Sequence, residues 1–343
     1  AELSPMTAGD TALRRTLASI PPASGAVVMG TGIVSIALSL DGRETLSRIL
    51  LVIDVVVWVV LGLLLVARMA VNRERAWRES RSPAALTGVA GTAVLGTRLT
   101  LLGWGWAGIG LLALAFGLWL LLLAPVLRNW KTPTIGVSFV LTVSTESLAV
   151  LSATLAANEH AAWLVEVALA PFLLGLAFYV LVVARFDLRQ LLVGRGDHWI
   201  TGGALAISAL AAGRITLSAQ SLGALGGHTG ALEDVSVGLW IAAIAWLPVL
   251  VATEALRPRL GYDVRRWATV FPVGMYAACS FVVGAAAGVA LITDFARVWV
   301  WVAVALWAVV FAAMIEPLIR VGRGEHPPLD ATRMAEIAPS SGG

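Results

Sequence analysis

Three charged side chains stand inside otherwise apolar stretches of this sequence and could act on a charged ligand: Arg98, Glu146 and Arg214. Two guanidinium groups against one carboxylate leave a net positive set, and guanidinium forks match the oxygens of carboxylates and oxyanions. Such a set suits the passage of a small anion. An isolated buried charge is costly in an apolar medium, so Glu146 is expected to pair with one or both arginines; a purely structural staple between helices is the plain alternative. If Glu146 stands unpaired, its protonation could couple anion movement to protons, which would make the protein a carrier. Other chemistry is poorly served. Cys279 is the single cysteine, which excludes an intrachain disulfide and a CxxC pair. His160, His198, His228 and His326 show no metal-ligand spacing, and no carboxylate pair or histidine cluster marks a membrane-embedded enzyme. No enzyme activity, metal or cofactor is expected. Gly30-Thr31-Gly32 has no strand before it and is not read as a dinucleotide loop.

The stretches that would hold these residues have membrane-spanning length. The chain has 343 residues, 59% hydrophobic and 13% charged, with a mean hydropathy of +0.87; a soluble domain carries about 25% charge, so a soluble enzyme is excluded. Apolar runs at 22-40, 47-70, 84-102, 106-127, 134-156, 162-184, 199-219, 235-256, 267-290 and 297-319 predict ten transmembrane helices. The runs are continuous and rich in Leu, Ala and Val, which excludes a membrane β-barrel. Arg98, Glu146 and Arg214 fall on the third, fifth and seventh runs, each about 20 Å from the start of its helix, so similar depth is expected for all three.

Basic residues are retained on the cytoplasmic side, and 19 of the 24 lie at the two ends of the chain or after an even-numbered span. These include Arg14 and Arg15, the cluster from Arg68 to Arg81, Arg195, Arg259, Arg323 and Arg333. Both termini are therefore expected in the cytoplasm and the protein in the plasma (inner) membrane. The expected division is a cytoplasmic segment 1-21, a transport domain 22-320 and a cytoplasmic tail 321-343. No cleavable signal is apparent, and the first span is expected to serve as its own insertion signal. The net charge of +3 is thus a topology signal and gives no support to nucleic-acid binding.

Ser and Thr number 22 in the odd spans and 3 in the even ones. Hydroxyls are disfavoured against lipid, so odd helices are expected inside and even helices outside. Odd spans recur at about 61 residues, which reads as five helical hairpins around an axis, and Arg98-Leu99-Thr100-Leu101 returns as Arg214-Ile215-Thr216-Leu217. A lumen lined by Thr31, Ser35 and Ser39, and by Gly88, Thr92, Gly96 and Thr100, is expected from their shared helix faces; close helix packing explains any one stripe equally well. Asp54, Glu166, Glu254 and Glu316 fall on even spans. Glu254 and Glu316 are read as interfacial pairs with Arg257 and Arg320, and Asp54 and Glu166 as contacts either to inner helices or to a neighbouring subunit. Tryptophans near span ends, among them Trp104, Trp163, Trp199 and Trp267, read as interfacial anchors.

The segments Pro22-Ala23-Ser24-Gly25-Ala26-Val27-Val28-Met29-Gly30-Thr31-Gly32-Ile33 and Trp267-Ala268-Thr269-Val270-Phe271-Pro272-Val273-Gly274-Met275-Tyr276 resemble the tellurite-resistance/dicarboxylate transporter family, which includes TehA-like proteins, plant slow anion channels, malate permeases and sulfite efflux pumps. The resemblance implies an all-α polytopic membrane protein with five hairpins in quasi-fivefold array around a central pore, commonly a homotrimer, that moves small anions: C4-dicarboxylates such as malate, sulfite, or halide and nitrate. It further implies that a ninth-helix phenylalanine, here Phe271, plugs the pore. Pro272 removes a backbone donor beside it and Gly274 adds latitude. A non-transporting membrane subunit is the expectation of another class, and a polar lumen across five helices argues against it.

Overall fold

In a computed structural model, residues 21–193, 196–258 and 261–322 are described. The expected segment 1-21, apart from its last residue, and the tail beyond 322 lie outside the described residues, as do Arg14, Arg15, Arg195, Arg259, Arg323, Arg333 and His326. Ten long helices follow the ten apolar runs: α1 (Gly25–Leu40), α2 (Glu44–Val71), α3 (Thr87–Leu101), α4 (Gly105–Arg128), α5 (Val140–Asn158), α6 (Trp163–Val183), α7 (Trp199–Leu222), α8 (Thr229–Leu256), α9 (Trp267–Ala287) and α10 (Ala290–Gly322). Among the described residues nine are long and apolar enough to cross a membrane, and α1 is shorter, preceded by a 3-10 turn at Pro22–Ser24. No named strand occurs among the described residues. The chain is an all-α polytopic membrane protein, the outcome an apolar solvent forces on a backbone that must satisfy its own polar groups.

Within each hairpin the odd helix turns into the even one through the same device. The turn residue has a left-handed backbone at Gly42 (φ 76), Gly103 (φ 85), His160 (φ 51), Gly223 (φ 64) and Gly288 (φ 65). The next amide N–H then donates to a carbonyl five residues back: Arg43 to Leu38, Trp104 to Leu99, Ala161 to Ala156, Ala224 to Ala219 and Val289 to Gly284, at 2.8 to 3.0 Å. This closure satisfies carbonyls that a helix end would otherwise leave open, and its recurrence in all five hairpins is direct structural support for a fivefold repeat. His160 is exposed and bears a Cβ in a conformation that disfavours one. His160→Gly is therefore expected to stabilise the protein by about 1 kcal/mol, seen as a higher melting temperature in detergent; no rise would show that the histidine side chain compensates.

The odd helices form a closed ring in the order α1, α3, α5, α7, α9 and back to α1, and each even helix packs on its own odd partner and on the next odd helix. In α3, α5, α7 and α9, 78–100% of the spanning residues are buried, against 17–33% in the even helices; α1 is buried from Ala26 to Leu38. The hydroxyl-rich helices are inside, as expected. Their hydroxyls, however, serve the seams between the layers. Indole Nε1 donates from Trp58 on α2 to Thr92 on α3 (3.0 Å), from Trp119 on α4 to Thr145 on α5 (3.0 Å), from Trp240 on α8 to Ser280 on α9 (2.7 Å) and from Trp307 on α10 to Thr31 on α1 (3.0 Å). The last bond closes the ring. Trp199 and Trp267 are buried, so they are not membrane anchors: both lie on inner helices, where a second layer separates them from lipid.

Candidate functional site

The centre of the ring is shut. Every residue from Ser138 to Ala156 of the α5 segment and from Thr269 to Gly284 of α9 is buried on all faces, whereas a helix lining an open water-filled lumen would expose one face along its length. Phe271 is 2% exposed. Pro272 follows it inside α9 and, having no N–H, leaves the Ala268 carbonyl without its helical donor. Its ring packs so closely on α7 that a Cβ at Gly203 would come within 2.9 Å of it. Two residues on, a Cβ at Gly274 would meet Ile33 of α1 at 2.8 Å. The broken helix is thus seated between α1 and α7 through glycines.

The three intramembrane charges do not meet. Arg98 lies in the last turn of α3, three residues before Leu101; Arg214 is eight residues before the end of α7, and Glu146 twelve before the end of α5. Counted back from the helix ends at 1.5 Å per residue, these are stretches of about 4.5, 12 and 18 Å of helix, and the expected pairing of Glu146 with either arginine does not occur among the described residues. Arg98 instead takes its carboxylate from the start of α2: Nη2 donates to Glu44 Oε1 at 2.8 Å and Oε2 at 3.0 Å, and Nε to Ser47 Oγ at 2.9 Å. Ser47 and Ser35 exchange hydrogen bonds with each other's backbone carbonyls at 2.6 and 2.7 Å, which fastens α1 to α2 beneath the ion pair.

Glu146 accepts a hydrogen bond from Ser208 of α7 at 2.8 Å and leans on α6, where a Cβ at Gly175 would fall 2.2 Å from its Cγ. Oε2 has no partner among the described residues. Asp54 of α2 occupies the matching seam of the first hairpin: it is fully buried, neither oxygen has a partner, and a Cβ at Gly32 of α1 would reach its Oδ2 at 2.8 Å. Of the two open alternatives, Asp54 therefore faces an inner helix, while Glu166 is exposed on the outer layer. Glu254 pairs with Arg266, at 3.6 Å, in place of the expected Arg257.

Arg214 differs from its repeat partner Arg98. It is half-buried and no carboxylate pairs with it among the described residues; one guanidinium nitrogen of each arginine, Nη2 of Arg214 and Nη1 of Arg98, is enclosed without a partner. The remaining candidates are engaged on the outer side of the ring. Thr31 and Thr92 receive indoles, Thr92 and Thr100 also donate to the carbonyls of Gly88 and Gly96 at 2.7 and 2.8 Å, and Thr100 Oγ1 would lie 2.1 Å from a Cβ at Gly108 of α4. The four central tryptophans escaped the sequence analysis, since an indole's partner sits on another helix and no local spacing announces it. No group of three or more potential metal ligands occurs among the described residues.

Comparison with known proteins bears on this arrangement. Two uncharacterized membrane proteins of Mycobacterium tuberculosis, from strains CDC 1551 / Oshkosh and ATCC 25618 / H37Rv, are each 32% identical over 157 residues, 43% of this chain and 79% of the relative. The family model described as voltage-dependent anion channel matches residues 19–315, a stretch that runs through all ten helices of the closed ring. The chain therefore belongs to the voltage-dependent anion channel family, whose members carry anions across membranes.

Proposed function

We propose that this protein is a gated pore for small anions, with C4-dicarboxylates such as malate, sulfite, and halide or nitrate as candidate substrates. The path runs along the odd helices, Arg214 is its anion-attracting group, and Phe271 is its plug, with Pro272 and Gly274 giving α9 the freedom to move it. Thr31, Ser35, Thr92 and Thr100 hold the wall from behind, since their hydroxyls are taken up in the seams, and Arg98 and Glu146 are anchored there by Glu44 and Ser208. The observation that carries the reading is the unpaired, half-buried guanidinium of Arg214 on an inner helix of a ring that is otherwise closed. A low-dielectric wall strengthens the attraction of such a group for an anion. We place the protein in the plasma (inner) membrane with both termini cytoplasmic, on the basic-residue distribution, and as a homotrimer on family resemblance.

The test is current through planar bilayers containing the purified protein under gradients of chloride, nitrate, sulfite and malate. The expected reversal lies near the anion equilibrium potential. Arg214→Gln is expected to lower anion current on the order of tenfold, equivalent to about 1.4 kcal/mol of anion stabilisation, while Arg214→Lys keeps most of it. Equal currents in wild type and Arg214→Gln would remove Arg214 from the path, and reversal near the cation potential would overturn the reading as a whole.

A further inference from the structure

A carboxylate at one end of the bundle ties together the starts of the two inner helices that meet at Pro272. Glu254, in the last turn of α8, accepts a hydrogen bond from Trp199 Nε1, the first residue of α7, at 3.1 Å. Its other oxygen, Oε1, lies 3.6 Å from Nη1 of Arg266, the residue just before α9. One position earlier, Thr253 Oγ1 lies 3.3 Å from Nε2 of His198, the residue that precedes α7. Three residues from the starts of α7 and α9 therefore converge on two successive residues of α8. One helical turn beyond Trp199 is Gly203, and six residues beyond Arg266 is Pro272, and these two are in van der Waals contact across the α7/α9 boundary. In the chain, Phe271 lies between Arg266 and Pro272.

We propose that Glu254 is a positioning residue for the gate: by bridging Trp199 and Arg266 it holds the start of α9 against α7, keeps Pro272 on Gly203 and so keeps the Phe271 ring in the path. The proposal rests on the reading of Phe271 as the plug. The two arms of the bridge are unequal. The Trp199 arm is a hydrogen bond from a buried indole; the Arg266 arm is longer than a direct hydrogen bond and joins side chains 25% and 18% exposed, so water and ions reach it. An ion pair of this kind exchanges readily, and the start of α9 is the element it would release. Beyond it, the carbonyl left open by Pro272 provides the point at which α9 can bend.

Glu254→Gln keeps an acceptor for Trp199 and removes the charge that holds Arg266. In planar bilayers it is expected to raise the time-averaged anion current about fivefold, with single-channel conductance and reversal potential unchanged; fivefold corresponds to about 1 kcal/mol. Because Glu254 acts through the plug, the same substitution in a Phe271→Ala background is expected to add nothing. Exchanging the charges, Glu254→Arg with Arg266→Glu, is expected to bring the current back toward wild type, and Arg266→Gln alone should match Glu254→Gln. An unchanged current in both single variants beside a raised one in Phe271→Ala overturns the clamp and leaves the gate. An equal multiplication in the Phe271→Ala background also overturns it, because the effect would then not pass through the plug. A rise with Glu254→Gln and none with Phe271→Ala overturns the gate reading itself.

Discussion

Phe271→Ala is expected to raise the anion current of the purified protein by about tenfold or more, the largest functional change of any single substitution considered. The ring is 2% exposed on a helix whose residues from Thr269 to Gly284 are buried on every face. Removing a phenyl group from a packed interior leaves a void whose lining loses contacts worth about 3–5 kcal/mol in a soluble core. Here the void would join a path walled by inner helices, where water can enter and relieve it. An apolar constriction gates by excluding water, and widening it lowers the barrier an anion meets when it sheds its hydration shell. The measurement is bilayer current with reversal potential as control. Current at the wild-type level from Phe271→Ala protein that melts as a folded species would place the barrier elsewhere in the ring.

The second large effect is on stability. Gly175→Ala sets a Cβ 2.2 Å from Cγ of Glu146, well inside contact distance, and the carboxylate cannot retreat because Ser208 holds its far end from α7. Overpacking of this kind costs about 1–3 kcal/mol, and a fall in melting temperature of about 1–4 °C is expected for a chain of this length. The second substitution Glu146→Ala removes the colliding atoms, so the double variant is expected to recover much of the loss, a non-additivity characteristic of groups in contact. Simple addition of the two losses, followed by fluorescence-detected melting in detergent, would falsify the seam between α5 and α6 as drawn.

The number of helices and their sorting into two layers were legible because both follow from local composition: apolar length marks a span, and a hydroxyl such as Thr142 or Ser152 marks a helix that lipid does not touch. The faces those hydroxyls would take were not legible. Thr31 and Ser35 share a stripe that suits a lumen, yet an indole 276 positions away and a serine on the next helix claim them, and pairings between helices leave no trace in periodicity. Arg98 and Arg214 show the same limit. Their tetrapeptides are nearly alike, and what separates them is Glu44, which lies next to one by virtue of the first hairpin turn and has no counterpart paired with the other. In the candidate gate, Phe271 drew its role from family resemblance and Pro272 from chemistry, whereas Gly203 became visible only through the contact it permits.

The bond between Trp307 and Thr31 also sets a timetable for biosynthesis. Of the ten helices α1 is made first, and α10, its partner across the ring closure, is made last. At about 5–20 residues per second, the 276 positions between them take about 15 to 55 s. During that interval α1 carries the Thr31 hydroxyl without the indole that finally donates to it. Newly made chains must therefore keep α1 sheltered, by the translocation machinery or by provisional contacts with α2 and α3, until α10 is made. A nascent chain arrested before α10 would present an open ring, and the quality-control proteases of the membrane would have an unfilled edge to recognise.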